Sequence, residues 1–315
     1  MGRHAAEIVV HGLVAITLVT LLLHLHPSRA PTMRFRFWLL ALLGPVLLPP
    51  AYWYLCPARM QDAFRDDWAL FSGSHWSAVS WHGLGAAAVW SLLAASLGAV
   101  LFLRDAGPLV LDAVCAQTRS REVRDMPGAL RSAADRAAKA LGVASPALRV
   151  YDTREPVLVC RGWRRPLIVA STGLVDRLAP DELAAAVAHE MSHVKRRDPA
   201  LGWGLLVLRG VFFFSPGLQI AARALVHEME NRADDSAARV VGDPRVVVRS
   251  LVKLTFAPDG TFGNGRANPW QRLKDSAIQR RCALLLDERR MVPVSRRSLL
   301  ATATGLALLL FFTVV

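Results

Sequence analysis

Four long apolar segments divide the chain into membrane-like and polar parts. They cover about residues 8–26, 35–55, 79–103 and 298–315. A helix rises about 1.5 Å per residue, so roughly 20 apolar residues are needed to cross a hydrocarbon core of about 30 Å. The pattern predicts three transmembrane helices within residues 1–103, a polar domain over 104–297 and a fourth transmembrane helix over 298–315.

A signal peptide is the alternative interpretation of the first segment, with Ser28-Arg29-Ala30 as its cleavage site. The apolar region is long, however, and basic residues follow it. We therefore favour a retained membrane anchor.

Basic residues in the loops predict which side of the membrane each part faces. The loop between the first two segments carries Arg29, Arg34 and Arg36 and no acidic residue. The polar region beyond residue 104 is also rich in Lys and Arg. Because such loops remain on the cytoplasmic side, we expect a multi-pass protein of the cell membrane whose polar domain is cytoplasmic.

Composition excludes several other classes of protein. The formal net charge is +13, yet no basic run is interleaved with aromatic residues, so we expect no nucleic-acid partner. Attraction to the anionic inner leaflet of a bilayer explains the excess of charge. The four cysteines are far apart and form no CxxC motif, which argues against a disulfide scaffold and against a thiolate zinc site.

The polar region mixes helical and β-like patterns. Helices are predicted over 128–141, from about 180 to 194 and over about 217–241, and short strands over 148–151, 157–160 and 167–170, the last two joined as a hairpin; residues 257–270 are predicted to be a loop. Residues 201–214 are apolar but short for a span and contain Arg209, which predicts a buried or membrane-interface helix. The fold class is therefore a mainly α membrane protein with an inserted α+β domain.

The motif His189-Glu190-Met191-Ser192-His193 carries the clearest chemistry. Two histidines four residues apart on a helix project from the same face and can bind one Zn²⁺ ion. Glu190 can then take a proton from a metal-bound water and deliver it to the leaving amine. The alternative is a chance HExxH in an Ala-rich helix.

A peptidase site needs a third protein ligand and an open fourth position. Glu230 and Asp234 are four residues apart on the second helix, so Glu230 can bind the metal while Asp234 fixes an imidazole ring. Glu228 lies on roughly the opposite side and can pair with Arg232. Without the HExxH motif, these acids would be interpreted as a solvated helix face.

These residues carry a resemblance to known proteins. The HExxH motif, the Lys195-Arg-Arg-Asp198 run, Phe214-Ser-Pro216 and Glu230-x-x-Ala233-Asp234 resemble the membrane gluzincins, both the BlaR/MecR-type signal-transducer peptidases and the HtpX and CAAX-prenyl-protease type. The resemblance implies a zincin-like domain, one zinc ion bound by His189, His193 and Glu230, and hydrolysis of a protein or peptide substrate with Glu190 as the base. We expect no external β-lactam-binding domain, because the chain ends after its fourth apolar segment.

Several features support alternative interpretations. In related enzymes the strand before the zinc helix, here Leu167–Ala170, is an edge strand that pairs with the extended substrate.

A non-proteolytic signalling scaffold would instead close a structural zinc site with a fourth ligand such as His227. We interpret His227 as structural rather than as an oxyanion stabiliser, and Cys160 as a core residue rather than a nucleophile. His11 is a functional candidate because it lies within an apolar segment. The pattern does not indicate an oligomeric state.

Overall fold

The structure, a computed structural model, describes residues 2–25, 30–69, 71–72, 80–81, 84–115, 127–161, 167–255, 269–287 and 296–314. The chain divides into two compact units. The first comprises residues 1–116, 204–228 and 292–315, and the second comprises residues 117–203 and 229–291.

Helices dominate both units. In chain order the elements are α1 (Gly2–Leu25), α2 (Pro31–Leu55), α3 (Asp62–Asp67), α4 (Ala86–Cys115), α5 (Gly128–Leu141), β1 (Ala147–Tyr151), β2 (Leu158–Arg161), β3 (Leu167–Ser171), α6 (Thr172–Arg177), α7 (Pro180–Arg196), α8 (Asp198–Val211), α9 (Pro216–Val241), α10 (Pro244–Thr255), α11 (Pro269–Leu285) and α12 (Arg296–Phe311). A 3₁₀ turn (Pro57–Met60) and two-residue strands at Phe71–Ser72, Ser80–Trp81, Leu84–Gly85 and Thr313–Val314 complete the described elements.

The first unit contains the membrane-like helices. Among the residues that the structure describes, three segments are long and apolar enough to cross a bilayer: Ala5–Leu25, Pro31–Leu55 and Ala88–Asp105. The third begins later than predicted, because residues 80–81 and 84–85 form short strands. Helix α12 packs against α1 and α2, but its apolar part, Leu299–Phe311, is shorter than a full span. Membrane crossing by α12 therefore stays a prediction.

A three-stranded sheet lies in the second unit in the order β1-β3-β2. Strand β1 is parallel to β3, with Leu148 opposite Ile168, whereas β2 is antiparallel to β3, with Cys160 opposite Ile168. The expectation that Leu167–Ala170 is an edge strand is wrong, because β3 pairs on both sides. The edge strand that packs against α7 is β2. The loop over 162–166 lies outside the described residues.

Helix α7 is fixed at both ends and along one face. Pro180 occupies its first turn, and the Glu182 carboxylate accepts a hydrogen bond from the Ala179 N–H at 2.9 Å. The helix ends at Arg196, and the next residue, Arg197, caps it with a left-handed φ of 56°. Its buried stripe of Leu183, Val187 and Met191 joins a core that includes Leu130 and Ile168.

Other boundaries differ from the sequence patterns in instructive ways. The apolar helix predicted over 201–214 is α8, which starts at Asp198 because Arg197 reverses the chain. Helices α10 and α11 were not predicted at all. The loop predicted over 257–270 lies almost wholly outside the described residues, and its last two residues belong to α11.

Candidate metal centre

Three side chains from two helices converge in the second unit. His189 and His193 come from α7 and Glu230 comes from α9. The Nε2 atoms of the two histidines are 3.3 Å apart. Glu230 Oε2 lies 3.5 Å from His189 Nε2, and Glu230 Oε1 lies 3.6 Å from His193 Nε2. Among the described residues, this is the group of three with metal-ligand geometry.

The spacing of these donors fits a zinc ion. Zinc binds nitrogen and oxygen at about 2.0–2.2 Å, so the ligand atoms of a tetrahedral site are roughly 3.3–3.5 Å apart. The two Nε2 atoms, 3.3 Å apart, lie within that range, and each has a different Glu230 oxygen near it: Oε2 is 3.5 Å from His189 Nε2 and Oε1 is 3.6 Å from His193 Nε2. Two imidazoles and one carboxylate are also the donor set of a zinc site that keeps its fourth position open.

A buried carboxylate lies against His189 on the side away from this cluster. Oδ1 of Asp234 lies 2.9 Å from His189 Nδ1, and the Asp234 side chain is almost fully buried. The two atoms are close, although the contact does not have the alignment of a hydrogen bond. This contact favours a proton on Nδ1, so that Nε2 is the nitrogen that would lose its proton and offer a lone pair to a metal ion.

The second imidazole has an equivalent partner that the sequence patterns did not reveal. Nδ1 of His193 is hydrogen-bonded to Oδ2 of Asp198 at 2.8 Å. Asp198 is the first residue of α8, and the left-handed Arg197 turns the chain so that its carboxylate faces back toward α7. Arg196 Nε also donates to Asp198 Oδ2 at 3.2 Å. Both imidazoles therefore present Nε2 toward Glu230.

A guanidinium completes the cluster from helix α11. Arg281 donates from Nε and Nη2 to the two oxygens of Asp234, and its Nη1 lies 3.1 Å from Glu230 Oε2. Arg281 thus contacts both acidic residues of the site. No sequence pattern identified it, because it lies 47 residues beyond Asp234 on a helix that was not predicted.

The charges in this cluster depend strongly on one another. Burial lowers the pKa of His189, but the carboxylates of Asp234 and Glu230 outweigh it and raise the value to about 10. Although burial alone would raise their pKa values, contacts with His189 and Arg281 hold the pKa of Glu230 and that of Asp234 below their ordinary values. Both carboxylates are therefore ionised at neutral pH and can bind positively charged groups.

Glu190 is held differently from the other acids. Its Oε2 accepts a hydrogen bond from the backbone N–H of Cys160, on the edge strand β2, at 3.0 Å. Burial raises the pKa of Glu190 in spite of the neighbouring histidines. Burial and the Glu190 carboxylate raise the pKa of the Cys160 thiol to about 11, so the thiol is protonated at neutral pH. This agrees with Cys160 being no nucleophile.

The remaining sequence-based candidates lie elsewhere. Glu228 is buried and pairs with Arg34 at 2.7 Å within the first unit, and its pairing with Arg232 stays a prediction. His227 is exposed and is not part of the three-residue group. His11 is buried in the first unit, where its ring lies 2.8 Å from the Thr313 carbonyl oxygen.

Comparisons with known proteins agree with this geometry. The chain matches the family described as BlaR1 peptidase M56 over residues 128–285, just over half of its length and the part that contains all the site residues above.

Curated relatives are similar over shorter stretches. Protease HtpX homolog 2 of Methanosarcina acetivorans is 33% identical over 154 residues, which are 37% of this chain and 51% of that protein. Plastoglobule-localized metallopeptidase 48 of Arabidopsis thaliana is 29% identical over 175 residues, 52% of this chain and 48% of that protein. The chain thus spans about half the length of these relatives.

Proposed function

Because this chain belongs to the BlaR1 peptidase M56 family, we propose that it is an integral membrane zinc endopeptidase that cleaves a protein substrate. The supporting observation is that the Nε2 atoms of His189 and His193 lie 3.3 Å apart with the Glu230 carboxylate beside both, and that a further carboxylate lies against the second nitrogen of each imidazole. One zinc ion per chain would be held by His189, His193 and Glu230.

The roles of the surrounding residues follow from their contacts. Zinc, when bound, supplies a Lewis acid that polarises the scissile carbonyl and lowers the pKa of a water molecule. Glu190 takes the proton of the attacking water and returns it to the leaving amine, and its raised pKa brings it closer to the operating pH. Asp234 and Asp198 keep both imidazoles in the tautomer that presents Nε2.

The free edge of strand β2 suits a polypeptide substrate. The Cys160 N–H points away from β3 and toward Glu190, so the backbone groups on this edge lie beside the proposed base. An extended substrate that adds to β2 would place its peptide bonds next to Glu190 while reading little of the side-chain sequence. This edge takes the role that the sequence analysis gave to Leu167–Ala170.

We propose the cytoplasmic side for the active site and a fourth membrane crossing for α12. The support is the basic loop with Arg34 and Arg36 between the first two candidate spans. Reporter fusions test the topology: a fusion after residue 60 should report outside and one after residue 260 should report inside. Two reporters on the same side would contradict the number of crossings before the peptidase domain.

Glu190→Gln is the central test of the function. The purified full-length variant should keep about one zinc per chain by elemental analysis but lose cleavage of casein, because the change removes the base and no ligand. Glu155→Gln, which changes an exposed glutamate, is the matched control and should cleave normally. Cleavage at the wild-type rate by Glu190→Gln would remove this residue from the mechanism.

The rival hypothesis is a signalling scaffold with a structural zinc ion. Among the described residues, the donor group has three members and no fourth ligand closes it. A peptidase should therefore bind a hydroxamate inhibitor in a zinc-dependent manner, whereas a closed structural site should not. Zinc-loaded protein that binds no hydroxamate would favour the scaffold.

A further inference from the structure

Residues 204–228 form a helical hairpin with an inverted distribution of polarity. The 204–228 hairpin comprises α8 from Gly204, the turn at 212–215 and α9 as far as Glu228, all within the first unit. On α8 beyond Gly204 the exposed large side chains are Val207 (64%) and Val211 (60%), whereas Arg209 is 7% exposed. In water, a surface helix shows the opposite arrangement, with charged residues outside and apolar residues inside.

Two buried polar residues of the hairpin, Arg209 and Gln219, are hydrogen-bonded to each other, and Arg209 also bonds to Asp105 of α4. Arg209 Nη2 donates to Asp105 Oδ2 at 2.8 Å, and Arg209 Nε donates to Gln219 Oε1 at 2.9 Å. The Arg209 guanidinium therefore contacts both a carboxylate and an amide oxygen. Such full pairing is what a charged group requires in hydrocarbon, where an unpaired charge is costly, whereas an arginine beside water could simply extend into the solvent.

The turn of the hairpin packs between two of the candidate membrane spans. The backbone of Phe213 lies so close to Gly98 that no side chain fits there, and Gly217 meets Gly12 in the same way. Gly12 lies well inside the span Ala5–Leu25, and Gly98 lies well inside Ala88–Asp105. If these spans cross the bilayer, the turn lies within its hydrocarbon region rather than at its surface.

Two carbonyl groups at the turn, those of Arg209 and Phe212, are satisfied by the protein itself. The Phe212 carbonyl accepts hydrogen bonds from the Ser215 N–H at 3.0 Å and from Gln219 Nε2 at 3.3 Å. Gln219 Nε2 also donates to the Arg209 carbonyl at 2.9 Å. A break between helices is tolerated at membrane depth only when the protein itself satisfies the freed backbone groups, and here Gln219 does so.

We propose that the 204–228 hairpin inserts part-way into the bilayer and that its outer face contacts lipid acyl chains. Helix α8 has 14 residues and so is about 21 Å long, which is too short for a crossing of about 30 Å. Its exposed apolar residues, with Phe213 and Ile220, extend the apolar surface of the span that contains Leu93 and Leu97. This inference does not rest on the peptidase activity.

Spin labels test which medium covers the hairpin. Val207, Val211 and Ile220 are replaced singly by Cys in full-length protein whose native cysteines are Ser, reconstituted in phosphatidylcholine–phosphatidylglycerol nanodiscs. Leu97→Cys, on a candidate span, is the lipid control, and Lys139→Cys, exposed on α5, is the aqueous control. The three hairpin labels should resemble Leu97→Cys, with fast relaxation by oxygen and slow relaxation by a nickel chelate.

Two outcomes would overturn the proposal. Labels relaxed by the nickel chelate as at Lys139→Cys would show that water covers this face, and labels protected from both agents would show that protein covers it. Photolabelling of the unmodified chain by a diazirine-bearing phospholipid provides a second measurement that needs no cysteine variant. It should modify peptides from 204–226 as well as from 88–105, and labelling confined to the spans would also contradict the proposal.

Discussion

Arg281 holds the carboxylate of Asp234 with two parallel hydrogen bonds, Nε to Oδ2 at 2.8 Å and Nη2 to Oδ1 at 2.7 Å. Asp234 in turn contacts His189, and Arg281 also reaches Glu230 through Nη1. One guanidinium therefore supports two of the three proposed ligands. Because Asp234 is nearly fully buried, removal of Arg281 leaves a buried carboxylate without its bidentate partner, which is costly.

Arg281→Ala should weaken zinc binding by about 10–100-fold, the usual loss when the support of a ligand is removed. The zinc affinity of Arg281→Lys should lie between that of Arg281→Ala and that of the wild type, because lysine keeps the charge but cannot bond both carboxylate oxygens. Chelator competition on the purified proteins measures the affinity. Arg280→Ala, which changes an exposed arginine on the same helix, is the control. Wild-type affinity in Arg281→Ala would show that this contact does not position the ligands.

Asp198→Asn should weaken zinc binding about as much as Asp234→Asn, by about 10–100-fold. The amide oxygen can still accept from His193 Nδ1, but the negative charge that favours the useful tautomer is lost. Zinc content after dialysis against a chelator distinguishes the variants. The exposed Asp181 gives a matched control, since Asp181→Asn should keep all its zinc. If Asp198→Asn kept all its zinc, the contact between Asp198 and His193 would have no effect on zinc binding.

Much of this site follows from helical spacing. His189 and His193 face the same way because they are four residues apart, and Glu230 and Asp234 share a face for the same reason. Glu230 is now found beside both imidazoles and Asp234 beside one of them. Periodicity within single helices thus predicted which residues meet, although their roles stay proposals.

Contacts made through tertiary structure could not be predicted in this way. Asp198 reaches His193 only because Arg197 adopts a left-handed conformation, which a non-glycine residue rarely does and which no pattern signals. Arg281 reaches Asp234 across 47 residues, so its partner depends on how α11 packs. The order of the strands was also missed, because alternation of apolar residues does not reveal which strand is central.

Cys160→Pro should shift the acid limb of the pH profile of kcat/KM to higher pH. The Cys160 N–H donates to Glu190 and lowers its pKa, which burial has already raised. Without this donor the pKa of Glu190 rises further, so more of the base is protonated at a given acidic pH and activity is lost earlier on acidification. The rate between pH 5 and 9 measures the shift.

Cys160→Ser keeps the backbone donor and is the control for Cys160→Pro. Its acid limb should coincide with that of the wild type, and both variants should retain zinc if the strand is intact. An unchanged acid limb in a zinc-loaded Cys160→Pro protein would show that the hydrogen bond from β2 does not set the pKa of the base.

Replacing Glu230 should affect metal binding, whereas replacing Glu228 should affect the stability of the fold. Residues two positions apart on a helix are separated by about 200° of rotation, so the two carboxylates face different partners. Glu230 lies 3.5 Å from His189 Nε2, whereas Glu228 is buried against Arg34 at 2.7 Å. Glu230→Gln should therefore lose most of its zinc without a large change in the fold. Elemental analysis of the two purified variants decides the assignment.

Glu228→Gln should keep its zinc but lower the free energy of unfolding by roughly 1–3 kcal/mol, because it breaks a charged hydrogen bond whose acceptor is buried. Arg34→Gln should cost a similar amount. The double variant should lose less than the two single losses together, since each change already removes the same pair. Unfolding in mixed detergent micelles measures all three. Loss of zinc from Glu228→Gln with retention by Glu230→Gln would reverse the assignment of the third ligand, and with it the register of α9 toward the metal.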